Sequence, residues 1–141
     1  MLVKIKRIDL SLPLPAYQTS GAVAFDLYSR IEMVIEPKSI GRVPTNLVVE
    51  IPKGYMLLIK DRSSTAKRKS LLCTVGFIDQ DFCGEEDEIL LQFYNFSNEP
   101  VKVEKGERLG QAAFVKIETA QWEEVEKMRK ETRGGFGTTG K

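Results

Sequence analysis

Apolar residues in this chain come in short runs closed by turn formers, and that punctuation constrains the fold more than any other feature of the 141-residue sequence. Val3 and Ile5 alternate with Lys4 and Lys6, the period-2 mark of a half-buried strand. NLVVEIPKGYMLLIK reads as strand, PKG turn, strand, and predicts a hairpin. EILLQFYNF (88–96) is apolar on both faces, which predicts an interior or interface strand. NEP and EKGE mark the turns after it, and QAAFVKI supplies a further strand. The helical period is clear once, in TAQWEEVEKMRKE, where Trp122, Val125 and Met128 recur at three-residue spacing behind Thr119, an N-cap candidate. On that stripe Trp122 reads as a packing residue.

Many short strands with one late helix predict a mainly β fold, an antiparallel jelly-roll-like β-barrel. One domain, residues 1–132, is expected to carry a Gly-rich C-terminal arm, residues 133–141. Four of the eleven glycines fall in that arm, RGGFGTTGK, which has no hydrophobic periodicity with which to bury itself.

Charge and composition exclude several functions. Lys and Arg number 21 against 20 Asp and Glu, a net charge of +1, which argues against a protein built to grip nucleic acid or a membrane surface. No stretch reaches the roughly 20 apolar residues of a membrane helix. MLVKIKRIDL lacks the apolar run of a signal peptide, and Cys73 and Cys83 show neither zinc spacing nor a disulfide framework, so a reduced, cytoplasmic setting is expected. There is no histidine, so acid–base chemistry near neutral pH must fall to a carboxylate, lysine, tyrosine or thiol.

Five stretches can carry chemistry. In GFIDQDFCGE (76–85), Asp79 reads either as a carboxylate held at a hairpin edge or, with Asp81, as a plain turn former. KDRSSTAKRKS (60–70) offers Arg62, Ser63, Ser64 and Thr65 to phosphate, or is a solvated turn. SGAVAFDLYS (20–29) places Asp26 among apolar residues on a strand, where an unpaired carboxylate is costly; it can pair with an arginine or orient the phosphate-binding groups. In KGERLGQAAF (105–114), the Gln111 amide can donate to an oxyanion or cap the turn. RGGFGTTG combines Arg133, Phe136, Thr138 and Thr139. It reads as a frayed end, or as an arm whose ring stacks on a base and whose polar groups meet phosphate. It is not a P-loop, because the G-x-x-x-x-G-K-[ST] spacing is missing.

Taken in order, SGAVAFDLYS, DRSSTAK, GFIDQDFCGE, GERLGQ and RGGFGTTG resemble the five motifs of the trimeric dUTPase family, including the 17-residue step from Arg62 to Asp79. The resemblance runs from about residue 20 to the last residues. It implies the dUTPase-like β-clip fold and a homotrimer whose active sites at subunit interfaces draw on all three chains. The implied reaction converts dUTP and water to dUMP and pyrophosphate, with Mg²⁺ held by the triphosphate and water and no direct metal ligand from the protein.

Residue by residue, Asp79 matches the carboxylate that orients the attacking water and contacts the sugar 3′-hydroxyl. Phe82 stands where the family usually has a tyrosine packed on the deoxyribose, a ring that leaves no room for a 2′-hydroxyl. The backbone from Leu72 to Ile78, Gly76 included, matches the hairpin that reads uracil. Arg62, Ser63, Ser64 and Gln111 match phosphate-side positions, with Asp26 in support. Phe136 matches the aromatic that closes over uracil, and Arg133 the γ-phosphate contact, with Thr138 and Thr139 beside it. The tail is thus expected to be a lid ordered by substrate.

The chain departs from the family pattern at three further places. Its last motif lacks two residues of R-G-x-G-G-F-G, DRSST replaces the commoner R-S-G-L, and Glu85–Asp87 is an insertion that reads as a surface turn or bulge. Two rival readings compete with this one. ILLQFYN resembles the corresponding strand of dCTP deaminase, but Gln92 stands where that enzyme needs a glutamate, and an amide cannot act as general acid or base. A nucleotide-sensing binder of the same fold has no need of the Asp79 carboxylate.

Overall fold

The computed structural model describes residues 1–137. Eleven strands and one helix appear among them. In chain order these are β1 (Ile5–Arg7), β2 (Phe25–Tyr28), β3 (Met33–Ile35), β4 (Ile40–Pro44), β5 (Leu47–Val49), β6 (Tyr55–Asp61), α1 (Thr65–Lys69), β7 (Leu71–Cys73), β8 (Phe77–Ile78), β9 (Leu90–Asn95), β10 (Val101–Val103) and β11 (Arg108–Lys116).

The ladders are antiparallel and form four small sheets: β1–β5, β3–β10, the four strands β2–β11–β6–β8, and the three strands β4–β9–β7. The mainly β class expected from the sequence is the one observed. One apolar core lies between the sheets, with Leu27, Leu57, Ile59, Leu91, Phe93 and Val103 excluded from solvent. Strand pleating explains the selection. On β9, Leu91, Phe93 and Asn95 point inward while Leu90, Gln92 and Tyr94 alternate outward. Buried Asn95 is fully engaged: its amide donates to the Ile35 and Glu99 carbonyls at 3.0 and 2.8 Å, and its oxygen accepts from the Ser97 N–H and hydroxyl. β9 is the middle strand of its sheet, as an interior strand should be.

Two expectations are corrected. The PKG turn exists, with the Tyr55 N–H donating to the Pro52 carbonyl at 3.1 Å and Gly54 at a φ of +83°. The strands it joins do not form a hairpin, however. β5 is buried along its whole length against β1, whereas β6 pairs with β11 over seven residues. The longer ladder decides the partner of β6; the turn decides only that the chain reverses.

The second correction concerns the late helix. Residues 118–131 are non-helical, and Trp122 is 93% exposed, with Met128 also outside the core. An isolated segment of this length gains little from helix formation unless its apolar face packs against something, and here Trp122, Val125 and Met128 all stay exposed among the described residues. The helix that does form is α1, five residues of which four are good helix formers, ending in Lys67, Arg68 and Lys69, whose charge complements the helix C-terminus. Ser70 closes it in the left-handed region at a φ of 55°.

Candidate active site

Asp26 organises one half of the candidate site. It sits on β2 directly across from Gln111 of β11, next to a register shift between Arg108 and Gly110. Its carboxylate is buried, and each oxygen holds one arginine: Oδ1 forms an ion pair with Arg62 Nε at 2.9 Å, and Oδ2 accepts from Arg108 Nη1 at 3.1 Å. The partner that a strand-borne carboxylate needs is therefore an arginine, present twice. Arg62 follows β6, and its N–H donates to the Leu109 carbonyl at 3.3 Å. Thr65 donates its hydroxyl to the same carbonyl at 2.8 Å, which pins the start of α1 to β11.

These anchors leave a cavity of about 200 Å³ lined by Arg62, Ser64, Thr65, Arg68, Lys69, Glu107 and Arg108. Ser63 stands exposed in the turn beside it. Gln111 lies on the neighbouring stretch of β11, where its amide donates to the Asp61 carbonyl at 3.1 Å. Its surroundings form a second groove with Val23, Ala24, Leu58 and Ala112. An anion suits the first cavity: guanidinium groups and hydroxyls are phosphate donors, and the buried Asp26 fixes two of them in place. Thr65 was offered to phosphate by the sequence, whereas Arg68, Lys69 and Arg108 were not singled out as cavity residues. The run Lys67–Lys69 and the ERLG turn were their only signal.

The other half of the site lies elsewhere on the chain. The expected hairpin over Leu72 to Ile78 is instead a crossing between sheets, since β7 pairs with β9 and β8 with β6. The Gly76 carbonyl is already taken by the Ile59 N–H at 2.8 Å, and nothing stands within 4 Å of where a Gly76 Cβ would lie. Leu72 is half exposed, and Ile78 packs against the core. Asp79 leaves β8 into a tight turn in which the Phe82 N–H donates to the Asp79 carbonyl at 3.3 Å. The Asp79 carboxylate is exposed, and the Phe82 ring is partly so. Beyond them, Glu85–Asp87 forms the expected surface turn: Asp87 Oδ2 accepts from the Gly84 N–H at 2.7 Å, and Lys6 bonds the Glu85 carboxylate and carbonyl.

Strand β6 measures the gap between the halves. Ile78 faces Leu57, whereas Arg62 lies five residues farther on, about 16 Å of extended chain. Asp79 continues away from Arg62. The third group, Arg133 and Phe136, stands exposed on the C-terminal segment. Thr138 and Thr139 lie outside the described residues.

Comparison with known proteins settles the family. A family model for dUTPase matches residues 11–140. The chain belongs to the dUTPase family. It is 42% identical to the deoxyuridine 5′-triphosphate nucleotidohydrolase of Dictyoglomus turgidum, over 98% of this chain and 97% of that protein. It is 39% identical to the enzyme of the same name from Nautilia profundicola, over the full length of both. Among solved structures, the dUTPase of Staphylococcus bacteriophage 80alpha with dUPNHPP superposes with a TM-score of 0.87 at 22% identity, covering 99% of this chain and 98% of that one. A mutant dUTPase from phage phi11 of S. aureus, described for its coordination of a structural Mg(II) ion, gives 0.79 at 20% identity, covering 90% and 98%. At these identities the structural likeness speaks for the fold.

Within this dUTPase, Gln92 has its amide engaged at both ends. Its oxygen accepts from Arg42 Nε at 3.0 Å and its nitrogen donates to the Thr74 hydroxyl at 3.0 Å. That glutamine is a structural link between β4, β9 and the start of the crossing, with no acid to offer.

Proposed function

We propose that this dUTPase hydrolyses dUTP to dUMP and pyrophosphate at sites shared between the subunits of a homotrimer. The observation that carries the reading is the anion cavity in which buried Asp26 clamps Arg62 and Arg108 beside Ser64, in a chain of this family. The distance along β6 between that cavity and Asp79 supports sharing, because one nucleotide needs both and a single chain holds them apart.

In this reading Arg62, Ser63, Ser64 and Gln111 hold the phosphates of the substrate. Asp79 of a second subunit orients a water molecule on the α-phosphorus and accepts its proton. The new P–O bond forms as the bond to the bridging oxygen breaks, and pyrophosphate leaves. A positioned base of this kind contributes about 10²–10⁴ in rate. Guanidinium donors stabilise the charge that develops on the phosphate oxygens. The backbone from Leu72 to Ile78 reads uracil, with the space over Gly76 open to a base. The Phe82 ring covers the deoxyribose face and excludes a 2′-hydroxyl. Residues 133–141 act as an arm of the 1–132 body. Phe136 closes on the base, and Arg133, Thr138 and Thr139 reach phosphate.

The donor set fits Mg²⁺ carried by the triphosphate and water. The cavity presents cations and hydroxyls, and both Asp26 oxygens are committed to arginines. When bound, Mg²⁺ offsets negative charge on the phosphate oxygens.

Pyrophosphate release from dUTP, UTP, dCTP and dTTP, with and without Mg²⁺, tests the proposal, using the full chain beside one cut after Glu131. Hydrolysis of dUTP alone, lost on truncation, is expected. An untouched dUTP overturns the activity; equal rates for the two chains overturn the lid.

A further inference from the structure

Four cations line the anion cavity, and three are matched to protein carboxylates. Arg62 and Arg108 share Asp26, and Lys69 Nζ lies 2.8 Å from Glu107 Oε1 while also donating to the Lys102 carbonyl. Arg68 is the exception. Among the described residues its guanidinium has no carboxylate or carbonyl partner, although it belongs to the cavity wall.

The two grooves along β11 give the cavity a direction. Around Gln111 and Ala112 the wall is made largely of Val23, Ala24, Leu58 and Ala113, apolar surface that suits a nucleoside or the segment that holds it. Three residues back along the strand, about 10 Å, the wall becomes Arg108, Glu107 and α1. A chain of phosphates that begins near Gln111 therefore ends at α1.

We propose that Arg68 binds the terminal phosphate of the substrate triphosphate, as the one cavity cation that no carboxylate among the described residues pairs. This inference rests on the dUTP reading above and adds a residue to it. Arg68 stands on the folded body, so its contribution does not depend on closure of the C-terminal arm. A guanidinium there offers two parallel donors to one phosphate, a charge-assisted pairing stronger than a neutral hydrogen bond. It also gives the site a means of preferring triphosphate over diphosphate and monophosphate.

The test is calorimetric binding of dUMP, dUDP and the imido analogue dUpNHpp to the parent, Arg68→Gln and Arg68→Lys, in the full chain and in the chain cut after Glu131. Gln and Lys both keep the helix propensity of this position. Arg68→Gln is expected to weaken dUpNHpp binding about tenfold and leave dUMP unchanged, with Arg68→Lys within about threefold of the parent. The same loss is expected in the cut chain. Equal dUpNHpp affinity in parent and Arg68→Gln overturns the inference while the activity stands. Equal weakening of dUMP and dUpNHpp also overturns it, because Arg68 is then a structural prop. A parent that binds none of the three removes the dUTP reading and this inference together.

Discussion

Arg62 Nε lies 2.9 Å from Asp26 Oδ1, and the same carboxylate reaches Arg108 with its other oxygen. One buried group thus sets the spacing of two guanidiniums of the cavity wall. Asp26→Asn keeps the shape and removes the charge. It is expected to lower stability by about 1.5–3 kcal/mol, the range for a hydrogen bond to a charged group. It is also expected to raise KM for dUTP about tenfold as the arginines lose their fixed position. Urea denaturation and steady-state kinetics check the two effects separately.

If sites are shared, two inactive variants can complement one another. Asp79→Asn and Arg62→Gln are each expected to be inactive alone. Co-assembled at random, three-quarters of trimers are mixed, and each mixed trimer holds one intact site in three. Activity should then recover to about a quarter of the parental value in the unfractionated mixture and about a third in purified mixed trimers. Co-expression of differently tagged chains and purification through both tags gives the mixed species; absence of any recovered activity there contradicts a shared site.

Gly110 sits at the irregular point of β11, where space is short. A Cβ there would lie 2.6 Å from Leu91 Cδ2 and 3.2 Å from the Lys60 carbonyl oxygen. Leu91 is fully buried and has little room to move. Gly110→Ala is expected to cost about 1–3 kcal/mol and to disturb Arg108 two residues away. Thermal unfolding with and without dUpNHpp measures both.

Asp9 gives the fold an acid limit. Lys105 Nζ at 2.6 Å from Oδ2, then the Ser11 hydroxyl and N–H on Oδ1, hold its carboxyl well below the usual carboxylate range. A depressed folded-state pKa means the stabilisation is complete above about pH 4, where the unfolded carboxyl is ionised, and is lost as pH falls from there. Asp9→Asn should therefore have a lower Tm at pH 7 and a shallower decline between pH 4 and pH 2. Parallel Tm curves for the two proteins over that interval contradict this assignment.

Asp26 was legible because a carboxylate between apolar strand residues has to be paired, whatever the fold. Its second partner was not, because Arg108 meets it through a register shift beside Gly110 that leaves no mark on the pattern of ERLGQ. α1 escaped notice for a related reason: five residues are too few to display a period. The stripe Trp122, Val125 and Met128 failed in the opposite sense. Its spacing is helical, but spacing cannot supply the surface a helix must pack against. The PKG turn likewise announced a reversal without naming the partner of either strand. The five-motif order carried the family; which motifs share one cavity emerged only from the packing of β6, α1 and β11.

The most direct test of the central claim is a comparison of parent and Asp79→Asn at saturating dUTP with Mg²⁺, following pyrophosphate release, alongside their affinity for dUpNHpp. Asp79 is exposed, so the substitution leaves the fold untouched. The account predicts affinity within about threefold of the parent and release slowed by at least about 100-fold. Release at the parental rate by Asp79→Asn, with binding intact, would contradict the assignment of Asp79 as the group that activates water.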